Sequence, residues 1–128
     1  MVESSGLTVE GWIPVDTATF ATRFPEVYAI GDVTSAPVPR AGVFAEGEAV
    51  TLAEHLIGKI RDGRAPSPYA GVASCYVEFG AGLVARADVE FLTGPSPKGR
   101  FQPPSLIHRD EKANFASTRR ERWFGREG

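Results

Sequence analysis

Cysteine is nearly missing from this sequence, Cys75 standing alone among 128 residues. No disulfide can close within the chain, and a single thiol leaves two roles open, inert packing or redox chemistry. Long apolar runs are missing as well: nothing approaches the roughly 20 consecutive apolar residues that a membrane-spanning helix needs. Met1 to Gly6 offers neither a basic flank nor an apolar core, so no signal peptide is read there, and a cytoplasmic location is the working expectation. Excess charge is also lacking. Fourteen basic residues face 16 acidic ones for a net −2, which argues against a nucleic-acid partner. His55 and His108 have no Cys, His or carboxylate at ligand spacing, so no metal site is assigned. A Gly-x-Ser-x-Gly nucleophile turn is absent too.

What is present is enough for one ordinary domain, because 42% of the residues are apolar. Leu7 to Asp16 reads as a short extended segment feeding a turn, with Pro14 limiting any strand to an edge. Thr22 to Glu26 is a turn around Pro25. Val27 to Ile30 then forms a short apolar run that Gly31-Asp32 ends, the pattern of a buried parallel strand finishing at a functional edge. Pro37 and Pro39 mark a loop before an uninterrupted stretch from Ala41 to Ile60. There Val43, Phe44, Gly47, Val50, Leu52, Leu56, Ile57 and Ile60 recur at helical spacing, while Glu46, Glu48, Glu54 and Lys59 fill other positions. Gly63, Pro66 and Pro68 supply the stop signals.

The second half reads as a hairpin and a helix. Val72 to Phe79 and Leu83 to Leu92 are β-prone runs separated by Gly80-Ala81-Gly82, which predicts an antiparallel pairing. A Gly/Pro loop from Gly94 to Gly99 follows, and Ser105 caps a last helix running to about Phe124. Asp110 and Glu111 near its start and Arg119, Arg120 and Arg122 near its end suit the helix dipole.

The chemistry concentrates where the short strand meets the long helix. A carboxylate at a strand's C-terminal end, beside a helix N-terminus, offers an acceptor for sugar-like hydroxyls and free N–H groups for an electron-rich atom. Gly31 lets a ligand approach the backbone closely. The blander alternative is that Gly31-Asp32 merely turns the chain and Asp32 caps a local N–H.

Thr22-Arg23-Phe24-Pro25-Glu26-Val27-Tyr28-Ala29-Ile30-Gly31-Asp32 resembles the second FAD-binding signature of the two-dinucleotide-fold flavoprotein reductases. The resemblance implies that Asp32 accepts a hydrogen bond from a ribityl hydroxyl of FAD, and that the next helix points its N-terminus at the pyrimidine side of the flavin. Val38-Pro39-Arg40-Ala41-Gly42-Val43-Phe44-Ala45-Glu46 is similar to the sulfide:quinone reductase and flavocytochrome c sulfide dehydrogenase branch, with Arg40 where that branch carries Lys. Backbone N–H groups of Gly42, Val43 and Phe44 become the candidates for a flavin carbonyl. Ser74-Cys75-Tyr76-Val77-Glu78-Phe79-Gly80 resembles the C-terminal β-segment of the same branch. By that resemblance Cys75 is the catalytic candidate, one half of a redox pair whose second cysteine lies elsewhere in a parent protein. The tail from Phe101 to Phe124 resembles the end of sulfide dehydrogenase-like oxidoreductases, and a docked surface helix anchored by Trp123-Phe124 is favoured over one lying in a membrane interface.

The fold expected is therefore an α+β fragment: the edge of a FAD-binding, Rossmann-like α/β domain with one long helix, then an antiparallel hairpin and a C-terminal helix. Residues 1–63 would complete the FAD-binding domain and residues 64–128 would form a hairpin-plus-helix domain that covers the flavin or an interface. No Gly-x-Gly-x-x-Gly for the FAD pyrophosphate occurs in the chain. The expectation is thus a C-terminal fragment of a two-electron flavoprotein oxidoreductase, partnered by N-terminal FAD and NAD(P) domains and inactive by itself. Its electrons would come from sulfide, a thiol or NAD(P)H and leave to a quinone, cytochrome or disulfide. A homodimer contact through the C-terminal domain fits the wider reductase group. The alternative is a non-catalytic dimerisation or interaction module that keeps the scaffold without flavin.

Overall fold

The computed structural model describes residues 3–61, 63–64 and 67–125. A short 3₁₀ turn, Glu3–Ser5, precedes helix α1 (Gly42–Arg61), strands β1 (Val72–Gly80), β2 (Leu83–Glu90) and β3 (Lys98–Ser105), and helix α2 (Leu106–Phe124). These elements make an α+β fragment built from two units. One comprises Met1–Ala73 with Glu90–Pro97, the other Ser74–Val89 with Lys98–Gly128.

In the first unit, turns do most of the shaping before α1. The Asp16 carboxylate accepts the backbone N–H groups of Ala18 (3.0 Å) and Thr19 (2.9 Å), an Asx-type turn that delivers Phe20 to the interior. Phe20 is wholly buried and meets the Tyr69 ring edge-on at 5.4 Å between centroids. The expected parallel strand over Val27 to Ile30 does not form. Only one antiparallel bridge, Ala21 with Tyr28, is made there, and Val27 is exposed. Glu26 (φ 60°) and Gly31 (φ 80°) bend the chain at both ends, leaving too few extended residues for a ladder. The parallel bridge lies one step away, between Ile13 and Thr34.

Helix α1 begins and ends within one residue of its expected bounds. Gly63 stops it in the left-handed conformation, its N–H donating to Gly58 O at 2.5 Å. The buried face carries Phe44, Glu48, Thr51 and Gly58, whereas Val50, Ile57 and Ile60 point outward. Glu48, read from the sequence as a position off the apolar stripe, thus lies on the stripe set by Phe44, one turn further on.

In the second unit, Gly80, Ala81 and Gly82 all adopt positive φ and close the β1–β2 hairpin. The strand order is β1-β2-β3. β3 was not anticipated, and its first two residues, Lys98 and Gly99, read from the sequence as the end of a loop; Pro103 and Pro104 are tolerated inside it because the strand sits at the sheet edge. Ser105 caps α2 as anticipated, its Oγ accepting the His108 N–H at 3.2 Å, and Gly125 ends it at φ 58°. A polar network ties sheet to helix. Asp88 accepts from Ser74 (2.6 Å), Arg86 (2.8 Å) and Gln102 (2.8 Å), and Arg86 reaches Glu111 at 3.1 Å. These donors hold the Asp88 carboxyl below its usual value, the Ser74 hydroxyl contributing most. Tyr76 and Phe115 add an edge-on ring contact at 5.9 Å. Helix α2 buries none of its residues; Trp123 and Phe124, the expected docking anchor, are exposed and meet each other edge-on. No helix among the described residues is long and apolar enough to cross a membrane.

Candidate functional site

The first unit contains a small cleft, open to solvent, between the Gly31-Asp32 turn and the first turns of α1. Gly31, Asp32, Arg40 and Phe44 line it, together with Thr34 and Glu48. Four site candidates from the sequence therefore come together, with Thr34 and Glu48 among the further lining residues.

The turn is fixed through its backbone. Gly31 has φ 80°, open to glycine at little cost, and an added Cβ would only touch Ala45 at 3.6 Å. Its C=O accepts both the N–H and the hydroxyl of Thr34, each at 3.0 Å. Its N–H donates to the Glu48 carboxylate. Asp32 follows with its side chain exposed at the cleft. Thr34 is itself 2% exposed, so this bracing is internal to the fold.

Arg40 is occupied by its own loop. Its guanidinium donates to Val38 O (2.9 Å) and Thr34 O (3.0 Å) and lies 4.2 Å over the Trp12 ring. It holds the proline-containing loop in shape while bringing positive charge to the cleft. At the start of α1, Phe44 N–H donates to Ala41 O at 3.0 Å and Ala45 N–H to the same oxygen at 3.2 Å. Gly42 and Val43 occupy the two positions ahead of them, where a helix has N–H groups without intrahelical acceptors.

Electrostatics single out Glu48. Burial pushes its carboxyl above the usual 4.5; the Gly31 N–H opposes the rise, the neighbouring Asp32 adds to it and Arg40 opposes it. Tyr69 is pushed up to about 12, chiefly by burial and further by Glu48, while its hydroxyl donates to Phe44 O at 3.1 Å. For a raised carboxyl the sign runs one way: the stability it contributes is complete below pH 4.5 and is lost as pH rises through its raised value. Thermal unfolding of the wild type against Glu48→Gln from pH 4 to pH 8 should therefore show the wild type losing ground with rising pH. Parallel curves would mean that Glu48 ionises in the fold as it does in water.

A carboxylate beside a permissive glycine and a helix N-terminus suits a polyhydroxylated, electron-rich ligand. Over 92% of its length the chain is 29% identical, across 136 aligned residues, to the mitochondrial sulfide:quinone oxidoreductase of Schizosaccharomyces pombe. The chain resembles a sulfide:quinone oxidoreductase. It spans about 29% of that enzyme's length. No protein-family model matches it. The sulfide:quinone oxidoreductase branch is the one that the Val38–Glu46 segment resembles.

The other sequence candidates lie elsewhere. Cys75 is half-buried in β1, in the second unit. His55 packs against Tyr28 at 5.8 Å, and His108 Nδ1 lies 3.1 Å from Glu111. Among the described residues no three His, Cys, Asp or Glu side chains gather as a metal set. Sequence reasoning missed Thr34 and Glu48. The signal for Glu48 was its spacing of four from Phe44, which puts a carboxylate on the apolar face of a helix.

Proposed function

We propose that the chain is the C-terminal part of an FAD-dependent oxidoreductase of the sulfide:quinone oxidoreductase kind, and that Asp32 binds the ribityl chain of the flavin. The observation that carries this reading is the exposed Asp32 carboxylate on a left-handed glycine turn, in a cleft shared with the first turns of α1. The donor and acceptor set fits the group. A carboxylate accepts from sugar hydroxyls, and the Gly42 and Val43 N–H groups with the helix dipole favour electron-rich atoms. Bound FAD would supply the two-electron chemistry. The protein's share is to hold and orient it: Asp32 fixes the ribityl chain, Arg40 keeps the loop and its charge in place, and Phe44 walls the cleft with an apolar ring. The similarity to the yeast enzyme supports an oxidoreductase. Sulfide as donor and a quinone as acceptor follow from that relative's name. Cys75 is assigned a redox role, and N-terminal FAD and NAD(P) domains are the partners this reading requires.

Asp32→Ala in the full-length flavoprotein should weaken FAD binding about tenfold to a hundredfold, the cost of one hydrogen bond to a charged acceptor. Thermal stability of the apoprotein should be unchanged, because the side chain is exposed. Flavin fluorescence titration measures the first and a melting curve the second. Equal FAD affinity in variant and wild type would refute the assignment of Asp32.

A further inference from the structure

The acid behind the turn has a use that the ligand contact does not explain. Gly31 has no Cβ, so its φ of 80° is only one of several conformations open to it. Which one it holds depends on hydrogen bonds. Thr34 fixes the peptide on the C-terminal side of Gly31, and Glu48 fixes the peptide on the N-terminal side. Asp32 is attached directly to this doubly held residue, so its direction is set by the two bonds. The Thr34 bonds are neutral. The Glu48 bond is charge-assisted when the acid is ionised and weaker when it is protonated.

Glu48 is 2% exposed, and the charged or titratable groups around it are Asp32 from the turn, Arg40 from the loop before α1, and Tyr69 from the segment before β1. Arg40 is held by carbonyl oxygens and Tyr69 by Phe44 O. Asp32 is therefore the neighbour whose position is free to follow the charge on Glu48. Ionised, Glu48 grips the Gly31 N–H and repels the neighbouring Asp32 carboxylate. Protonated, it holds the N–H only through a weaker, neutral bond and no longer repels Asp32.

We propose that Glu48 is a positioning residue for the cleft, whose ionised carboxylate locks the Gly31 turn and presents Asp32 to the ribityl chain, so that protonating Glu48 weakens FAD binding. The role rests on the flavin reading above, but the backbone lock can be tested without flavin.

In the 128-residue chain, the Gly31 amide proton should titrate with Glu48 in heteronuclear NMR spectra recorded from pH 4 to pH 8, moving upfield as pH falls. In Glu48→Gln, whose amide oxygen can accept the same bond, it should stay fixed. In the full-length flavoprotein, wild-type FAD affinity should fall about tenfold as Glu48 is protonated, the equivalent of losing one charge-assisted bond. Glu48→Gln, neutral at every pH, should bind FAD about tenfold more weakly than wild type at pH 8 with a flat pH profile, and Glu48→Met, with no acceptor, should bind at least as weakly at every pH. If Glu48→Met does not fold, the flat profile of Glu48→Gln decides the matter. A Gly31 amide that does not titrate, or a Glu48→Gln protein that keeps the wild-type pH profile, overturns the proposal. If Asp32→Ala and Glu48→Met both bind FAD as wild type does, the flavin reading has failed; if Asp32→Ala alone weakens binding, only the role of Glu48 has.

Discussion

Truncating Phe20 to alanine should cost the chain about 3–5 kcal/mol, the range for a fully buried phenylalanine. Phe20 has no exposed surface, and its ring meets Tyr69 edge-on. Its backbone sits at φ 55°, a left-handed conformation that a non-glycine residue adopts at a cost of order 1 kcal/mol. Alanine keeps that strain and loses the burial that offsets it. The backbone there is also tied down, with Phe20 N–H on Asp16 O (2.7 Å) and Ala29 N–H on Phe20 O (3.1 Å), so the chain cannot relax without giving up the turn that leads to Gly31. Urea denaturation reports the loss directly. A change below about 1 kcal/mol would mean that the pocket collapses without penalty and that the interior of this unit is organised around other residues.

Phe44→Ala should cost a similar amount, about 3–5 kcal/mol, but with a different consequence. Phe44 is 2% exposed, packs edge-on against Phe91 at 5.5 Å, and belongs to the cleft wall. Phe20 does not line that cleft. At a temperature where both variants remain folded, Phe44→Ala should lose FAD affinity in the full-length protein, whereas Phe20→Ala should lose stability alone. Paired denaturation and flavin titrations separate the two. Equal losses of affinity would mean that the cleft senses global stability and not its own wall.

The sequence made some of this architecture legible, for physical reasons that differ by element. Helix α1 was readable because apolar residues recur at three and four over twenty positions, with glycine and proline beyond. The hairpin was readable because Gly80-Ala81-Gly82 needs positive φ, and the α2 start because Ser105 can reach the N–H three residues on. β3 was not, since Pro103-Pro104 argues against a strand until its place at an edge is known. The strand expected over Val27 to Ile30 failed for a related reason: nothing in a four-residue apolar run discloses that Glu26 will take a left-handed conformation.

The site was half legible. Gly31, Asp32, Arg40 and Phe44 could be named from their pattern, and they share one cleft. The role of Arg40 in bracing the carbonyls of Thr34, Ala36 and Val38 could not, because backbone carbonyls carry no sequence signature. Glu48 was hidden because a carboxylate is read as lying off a helix's apolar stripe, which holds for most of them and fails for the one that meets a backbone N–H.

The two prolines of β3 have a consequence for how this sheet meets other chains. Successive residues of a strand direct their N–H groups to opposite sides, so Pro103 and Pro104 together remove one donor facing β2 and one facing outward. A foreign strand approaching the β3 side would find a gap in its ladder, beside the charges of Lys98 and Arg100. β1 carries no proline along its nine residues, and its last four, from Val77 to Gly80, are all exposed. Strand addition, by a copy or by a neighbouring polypeptide, is thereby directed to one side of the sheet and discouraged at the other.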